Sequence, residues 1–181
     1  MMRRVAVIGT SGSGKTTVAG RLAQRLGVPQ VELDALHHGP NWSEPELEDF
    51  RRRVSEATSG EGWVVDGNYM RKLDNLILER ADTIVWLDLP LRTALRRLWR
   101  RTTSRIRDDI ELWSGNRESW RGAFWGRESL FAWTVRSHLA RKRSLPERLS
   151  SSELAHARIV RLRSPHEVEE WLAALPVRVR T

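Results

Sequence analysis

The sequence predicts an α/β fold in one domain of 181 residues: a five-stranded parallel sheet with helices on both faces. Three observations predict it. Five apolar runs at 5–8, 30–33, 63–65, 83–87 and 159–162 have the length and composition of buried strands. The segments between them repeat apolar residues every three to four positions, the period of a helix lying on a sheet. The first run and the first helical segment are joined by a glycine-rich turn, Gly9-Thr10-Ser11-Gly12-Ser13-Gly14. Strands that alternate with helices build a parallel sheet buried on both sides.

Each element has its own signal. Lys15 to Leu26 carries Val18, Leu22 and Leu26 on one side, and Gly27 and Pro29 stop it. Ser43 and Glu46 read as a capping box, with Trp42 and Leu47 as its hydrophobic staple, opening a helix to about Thr58. A short helix is expected near 73–79, and a longer one over 91–107 with Leu95, Leu98, Trp99, Thr102 and Ile106 at helical spacing. Beyond Asp108 the pattern loosens until a helix over about 127–143, and Ser164-Pro165-His166-Glu167 opens the last helix.

The glycine-rich turn continues into Lys15, Thr16 and Thr17, and residues 9–16 fit G-x-x-x-x-G-K-[ST], the phosphate-binding P-loop. Glycines 9, 12 and 14 let successive backbone N–H groups point inward at phosphate oxygens, beside Ser11 and Ser13. The helix N-terminus adds free donors and partial positive charge. Lys15 then reaches the β- and γ-phosphates and the Thr16 hydroxyl holds Mg²⁺. The chain therefore binds a nucleoside triphosphate.

Composition narrows the class. With no cysteine there is no disulfide, thiolate nucleophile or thiolate metal site. No stretch approaches a membrane span and the chain starts with a strand, so a cytoplasmic protein is expected. The net charge is +8, and its excess is local: residues 92–148 hold 15 Lys/Arg against 6 Asp/Glu, a net +9, with five of the nine tryptophans. Basic residues interleaved with Trp99, Trp113, Trp120, Trp125 and Trp133 are one way to bind single-stranded nucleic acid. Helical spacing instead places Trp99 and Trp133 in the core.

Three carboxylates, Asp34, Asp66 and Asp88, follow strands, where ligands collect in a parallel sheet. Phosphoryl transfer needs one acid for Mg²⁺ and one to take the hydroxyl proton. Asp88 precedes Pro90 and suits a turn. His37 and His38, adjacent in sequence, diverge too much for a metal pair and are expected with Asn41 and Trp42 around an acceptor pocket or on its rim, a plain surface position being the alternative.

Together with the P-loop, Val31-Glu32-Leu33-Asp34, Trp63-Val64-Val65-Asp66-Gly67-Asn68-Tyr69 and Ile84-Val85-Trp86-Leu87-Asp88-Leu89-Pro90 resemble the adenylate-kinase-like P-loop kinases. Within them the chain is most similar to the DNA-topology-modulation (FlaR-type) branch, over 5–101 and again over 159–172. The resemblance implies that Asp66 joins Thr16 in the Mg²⁺ shell, and that Arg97 and Arg101 stabilise the transferring phosphoryl group. It implies a basic lid over 102–126 carrying Arg105, Arg107, Arg117 and Arg121, and an adenine loop at Arg163. Asn68 and Tyr69 replace an aromatic-proline pair, and no arginine follows the second strand, which speaks against AMP as acceptor. Asp34 resembles the acceptor-side aspartate of shikimate- and gluconate-kinase-like enzymes.

The expectation is a single domain over 1–181, with a core of 1–101 and 145–181 and a helical insert at 102–144. It is a Mg-ATP-dependent kinase in which Lys15, Asp34, Arg97 and Arg101 act on the reaction. His37, Trp42, Asp66 and Asn68 join Asp34 around a small acceptor. The alternative is an NTPase that binds DNA or RNA through its basic segment.

Overall fold

Alternation along the central strands divides the interior into two cores. In β1 (Arg4–Gly9), Ala6 and Ile8 face one side of the sheet while Val5 and Val7 face the other. The same split puts Trp63 and Val65 of β3 (Trp63–Asp66) opposite Val64, and Ile84 and Trp86 of β4 (Thr83–Leu87) opposite Val85 and Leu87. Every residue of β3 and β4 is buried, as a central parallel strand covered on both faces requires. With β2 (Gln30–Glu32) and β5 (Arg158–Leu162) the sheet is wholly parallel, in the order β2-β3-β1-β4-β5. The computed structural model describes residues 2–176, so both ends of the expected domain, residue 1 and 177–181, lie outside the described residues. No helix among the described residues is long and apolar enough to cross a membrane.

One face is covered by α1 (Lys15–Leu26) and α9 (Pro165–Ala174) through Val18, Leu22, Val168 and Leu172. Gly27 ends α1 in the left-handed conformation, its N–H bonded to the Ala23 carbonyl. Ser164 accepts from the Glu167 amide at 3.1 Å to start α9, with Pro165 at its first position. The other face is covered by α3 (Leu47–Ala57), α5 (Leu76–Arg80) and the end of α8 (Leu130–Leu149), through Phe50, Val54, Ile77, Leu78, Leu145 and Leu149.

Several expected boundaries move. Leu33 leaves the second strand and opens a short helix, α2 (Leu33–His37). The Ser43–Glu46 capping box does not form: Ser43 closes a 3₁₀ turn at Pro40–Trp42, and α3 starts only at Leu47 after Glu46. Glu44 precedes Pro45, which disfavours the helical conformation there. The short helix expected near 73–79 is split into α4 (Met70–Leu73) and α5 by left-handed Asp74 and Asn75, residue types that tolerate it. α6 (Leu91–Arg107) agrees with expectation. A short α7 (Trp120–Phe124) follows, then α8, which starts later than expected, capped by Ser129. It also runs past 143 because Leu145 and Leu149 are buried against the sheet.

The P-loop is packed against α6. Gly12 has φ +80°, and a Cβ there would lie 2.2 Å from the Ala94 carbonyl oxygen. Gly12→Ala therefore meets both a backbone clash and a left-handed penalty, and is expected to lower stability by about 2–4 kcal/mol. Gly27→Ala has φ +67° but open space around it, so it should cost about 1 kcal/mol. Urea denaturation of the two variants checks the difference; equal losses would contradict close packing of the loop on α6.

Candidate active site

Few side chains shape a P-loop, so its backbone must be held from outside. Three elements do this. After β3, Asn68 accepts from the Gly9 N–H at 3.1 Å and donates to the Gly9 carbonyl at 2.5 Å. From α8, His138 Nδ1 lies 2.8 Å from the buried Thr10 hydroxyl. From α6, Arg97 donates to the Ser13 carbonyl at 3.2 Å. Within the turn, Ser13 N–H bonds the Thr10 carbonyl and Gly14 adopts φ 93° to lead into α1.

The charged groups gather where β1 and β3 end. Lys15 is half-buried, with its ammonium 3.3 Å from the Thr10 carbonyl. Burial lowers its pKa to about 8, with Arg141 and Arg101 adding to the effect and Asp34 and Asp66 opposing it. Arg141, on α8, is itself lowered to about 10 by burial, and its Nε has no hydrogen-bond partner. Arg101 is shifted down first by desolvation and then by Arg105, with Glu118 and Asp34 pulling the other way. Three cations thus surround the loop mouth, short of counter-charge, which suits a phosphate-bearing ligand.

Asp66 is 4 % exposed. Its Oδ1 accepts from the Thr16 hydroxyl at 3.2 Å and its Oδ2 from the Gln30 amide at 3.1 Å. Burial raises its pKa to about 6 even with Gln30 and Lys15 favouring the charged form. A buried carboxylate beside a hydroxyl, held short of positive charge, fits a hard cation completed by phosphate oxygens and water. Among the described residues no cluster of three acids or histidines forms an all-protein cage, and Mg²⁺ seldom uses one. Thr16 and Asp66 are therefore the pair that would hold it.

Asp34 lies in the first turn of α2, one step beyond the strand expected to carry it. Its Oδ1 accepts from the Tyr69 hydroxyl at 2.8 Å. Tyr69 titrates higher than usual because it is buried and because Asp34 would repel a phenolate, so it stays a donor. Its oxygen also lies 3.4 Å from His38 Nε2.

Not every expected site residue faces this mouth. His37 is 3 % exposed and packs against Phe50 and Tyr69, its Nε2 2.7 Å from the Lys72 ammonium. It sits behind the acceptor side, and His38 takes the outward place. Asn68 is occupied by Gly9 on both ends of its amide, so it shapes the loop and is not open to an acceptor. Arg97 is fastened to the loop backbone while Arg101 stands near Asp34, so the two do not share one task. Asp88 pairs with Arg161 at 2.6 Å, a tie between β4 and β5. Arg163 is exposed after β5, its N–H bonded to Glu167. Trp42 is 40 % exposed on the acceptor-side loop. Trp99 and Trp133, expected in the core, are 52 % and 42 % exposed. Trp99 packs on Phe124 and Phe131, and the Arg141 guanidinium lies 5.9 Å from the Trp133 ring. Arg105 pairs with Glu118 at 3.0 Å and Arg117 with Asp109, so both are engaged within the insert.

Sequence reasoning missed Gln30, Tyr69, His138 and Arg141. Gln30 and Tyr69 sit beside residues already singled out, and their polar ends mark them as partners for nearby acids. Nothing local marks His138 or Arg141, because the fold of α8 over the P-loop is what brings them in.

A family model described as an AAA domain matches residues 5–119. The shikimate kinase of Sulfurihydrogenibium sp. is 31 % identical over 114 residues, 54 % of this chain and 67 % of that protein. That of Symbiobacterium thermophilum is 33 % identical over 98 residues, 46 % of this chain and 56 % of that protein. The chain thus spans between about half and two thirds of these relatives. Among solved structures, shikimate kinase from Acinetobacter baumannii in complex with shikimate aligns over 96 % of this chain and 90 % of its own, at TM-score 0.56 and 17 % identity. Shikimate kinase from Bacteroides thetaiotaomicron aligns over 96 % of both chains at TM-score 0.57 and 17 % identity. These structural likenesses show a shared fold.

The buried His37 carries a pH expectation. Burial first, then the Lys72 charge, lower its pKa from 6.5, with His38 adding and Glu44 and Asp34 opposing. The unfolded chain then takes up this proton before the folded one. The stability it confers is complete above about 6.5 and is lost as pH falls toward the folded value. Wild type should therefore lose more stability between about pH 7.5 and 5 than His37→Gln, which keeps an acceptor for Lys72 without a titrating ring. Urea denaturation across that range tests it; parallel pH profiles would contradict it.

Proposed function

The chain belongs to the AAA domain family and has the P-loop kinase fold, and we propose that it transfers the γ-phosphoryl group of ATP to a hydroxyl of a small acceptor. The observation that carries the reading is the gathering of Lys15, Arg101 and Arg141 with Asp34 and Asp66 at one loop mouth. A nucleotide-binding protein that only senses its ligand needs no carboxylate poised beside the phosphates on the acceptor side. The shikimate kinase relatives support a small hydroxyl compound as the acceptor class.

The roles follow from the placement of each group. The loop amides of residues 9–17 and Lys15 grip the β- and γ-phosphates. Thr16 and Asp66 would hold Mg²⁺, which would supply neutralising charge to the phosphates. Asp34, oriented by Tyr69, accepts the proton of the attacking hydroxyl. The acceptor oxygen bonds to the γ-phosphorus as the bond to the β,γ-bridging oxygen breaks, and ADP leaves with that electron pair. Arg101 and Arg141 stabilise the charge spread over the transferring group. Arg163 stands on the side of the base, and residues 102–144 form the insert over the site.

A second reading, NTPase activity tied to nucleic acid as the FlaR-type resemblance suggests, has one observation in its favour. Trp99, Trp120 and Trp125 are 52 %, 54 % and 81 % exposed, and α6 also exposes Arg92, Arg96 and Arg100. That reading requires binding to single-stranded DNA that weakens steeply with salt.

Two variants test the kinase reading. Lys15→Ala should reduce Mg-ATP turnover at least about a thousandfold. Asp34→Asn should lower the transfer rate by about a hundredfold or more while leaving the ATP dissociation constant within about twofold. Steady-state rates and calorimetric ATP binding measure the two quantities. Equal losses in both, or full transfer activity in Asp34→Asn, would remove Asp34 from the mechanism.

A further inference from the structure

The insert that follows α6 does not hang free over the site. Its segment at 112–116 is bound to the loop at 39–43 on the acceptor side, and one side chain makes most of the connection. Asn116 is 4 % exposed. Its Oδ1 accepts from the Trp42 N–H at 2.8 Å, and its Nδ2 donates to the Gly39 and Trp113 carbonyls, each at 2.8 Å. The Ser114 hydroxyl adds a bond to the His38 carbonyl at 2.9 Å.

Both segments need such support. Asn41 and Trp42 have φ of 55° and 58°, and Ser114 has 58°. A tryptophan in the left-handed region is uncommon and persists only where its surroundings fix it. The result is a cluster of rings on the Asp34 side, His38 edge-to-face with Trp42 and stacked with Trp113. His38 lies 5.3 Å from the Trp42 ring and 5.9 Å from Trp113, and its Nε2 is 3.4 Å from the Tyr69 oxygen that bonds Asp34. Arg105 and Glu118, 3.0 Å apart and both largely buried, hold the same part of the insert to α6.

We propose that Asn116 is a positioning residue for the acceptor, tying the insert to the 39–43 loop so that His38, Trp42 and Trp113 form a fixed wall beside Asp34 before any ligand binds. This rests on the phosphoryl-transfer reading for its functional consequence, while the tie itself is independent of it. A fixed wall of three rings selects acceptors that present a flat or apolar ring face with the reacting hydroxyl at Asp34. Any closure over the site then falls to the part of the insert beyond Glu118.

Two variants separate the bonds. Asn116→Ala removes all three. Asn116→Asp keeps an acceptor for the Trp42 N–H but loses the donors to Gly39 and Trp113. Hydrogen exchange of the ligand-free protein should show the Trp42 amide exchanging about tenfold or more faster in Asn116→Ala, and faster than wild type also in Asn116→Asp, whose second carboxylate oxygen faces the Gly39 and Trp113 carbonyls. Trypsin should cut after Arg107 and Arg117 faster in Asn116→Ala, with no change after Arg25. With Mg-ATP and shikimate, adenosine or deoxyadenosine as probes, KM for a compound that is turned over should rise about tenfold while the ATP dissociation constant holds. Unchanged Trp42 exchange in Asn116→Ala would overturn the tie. Parallel loss of ATP and acceptor affinity would overturn the positioning role. Turnover of none of the three compounds would count against the kinase reading, and the exchange and trypsin results would still decide the tie.

Discussion

Everything at this site is measured from a loop that cannot hold itself. Residues 9–14 include three glycines, and their backbone must stay curled around an anion. The restraints come from three directions: Asn68 on Gly9, His138 on Thr10, and α6 against Gly12 and Ser13. Each restraint also fixes an element that carries a functional group. Asn68 lies two residues beyond Asp66, His138 lies one turn before Arg141, and Arg97 lies one turn before Arg101. Holding the loop and placing the chemistry are therefore one act of folding.

Electrostatics point the same way. The site holds cations whose pKa values burial has pushed down and a carboxylate that burial has pushed up. Each charged form is less comfortable there than in water. A ligand that brings anionic oxygens to Lys15, Arg101 and Arg141, together with a divalent cation at Thr16 and Asp66, relieves both strains at once. That complementarity is what a metal–nucleotide complex offers, and it concentrates binding free energy on the phosphates.

Sequence reading reached the fold because its signals are local: apolar strands, capped helices and an eight-residue motif with strict glycine positions. Lys15, Thr16, Asp34 and Asp66 stand out in the sequence for the same reason, since each lies within a few residues of a strand end, and the fold brings them to one mouth. It failed where a side chain's surroundings come from distant segments. His37 looked like a pocket residue, but Lys72 and Phe50 enclose it. Asn68 looked like an acceptor contact, but the backbone of Gly9 claims it. Trp99 had the spacing of a core residue, yet it is 52 % exposed and packs only partly, against Phe124 and Phe131 among others. Arg141 had no local mark at all, and only α8 crossing over the loop reveals it. The Ser43 capping box failed for a local reason, Pro45, that was present in the sequence.

The most direct test of the account is ADP release from Mg-ATP, followed with and without each of a panel of small hydroxyl compounds, nucleosides and nucleoside monophosphates. The account predicts that one compound raises the rate well above basal hydrolysis and gains a phosphate in equal amount to the ADP formed. Hydrolysis that no compound stimulates, but that single-stranded DNA does, would contradict it.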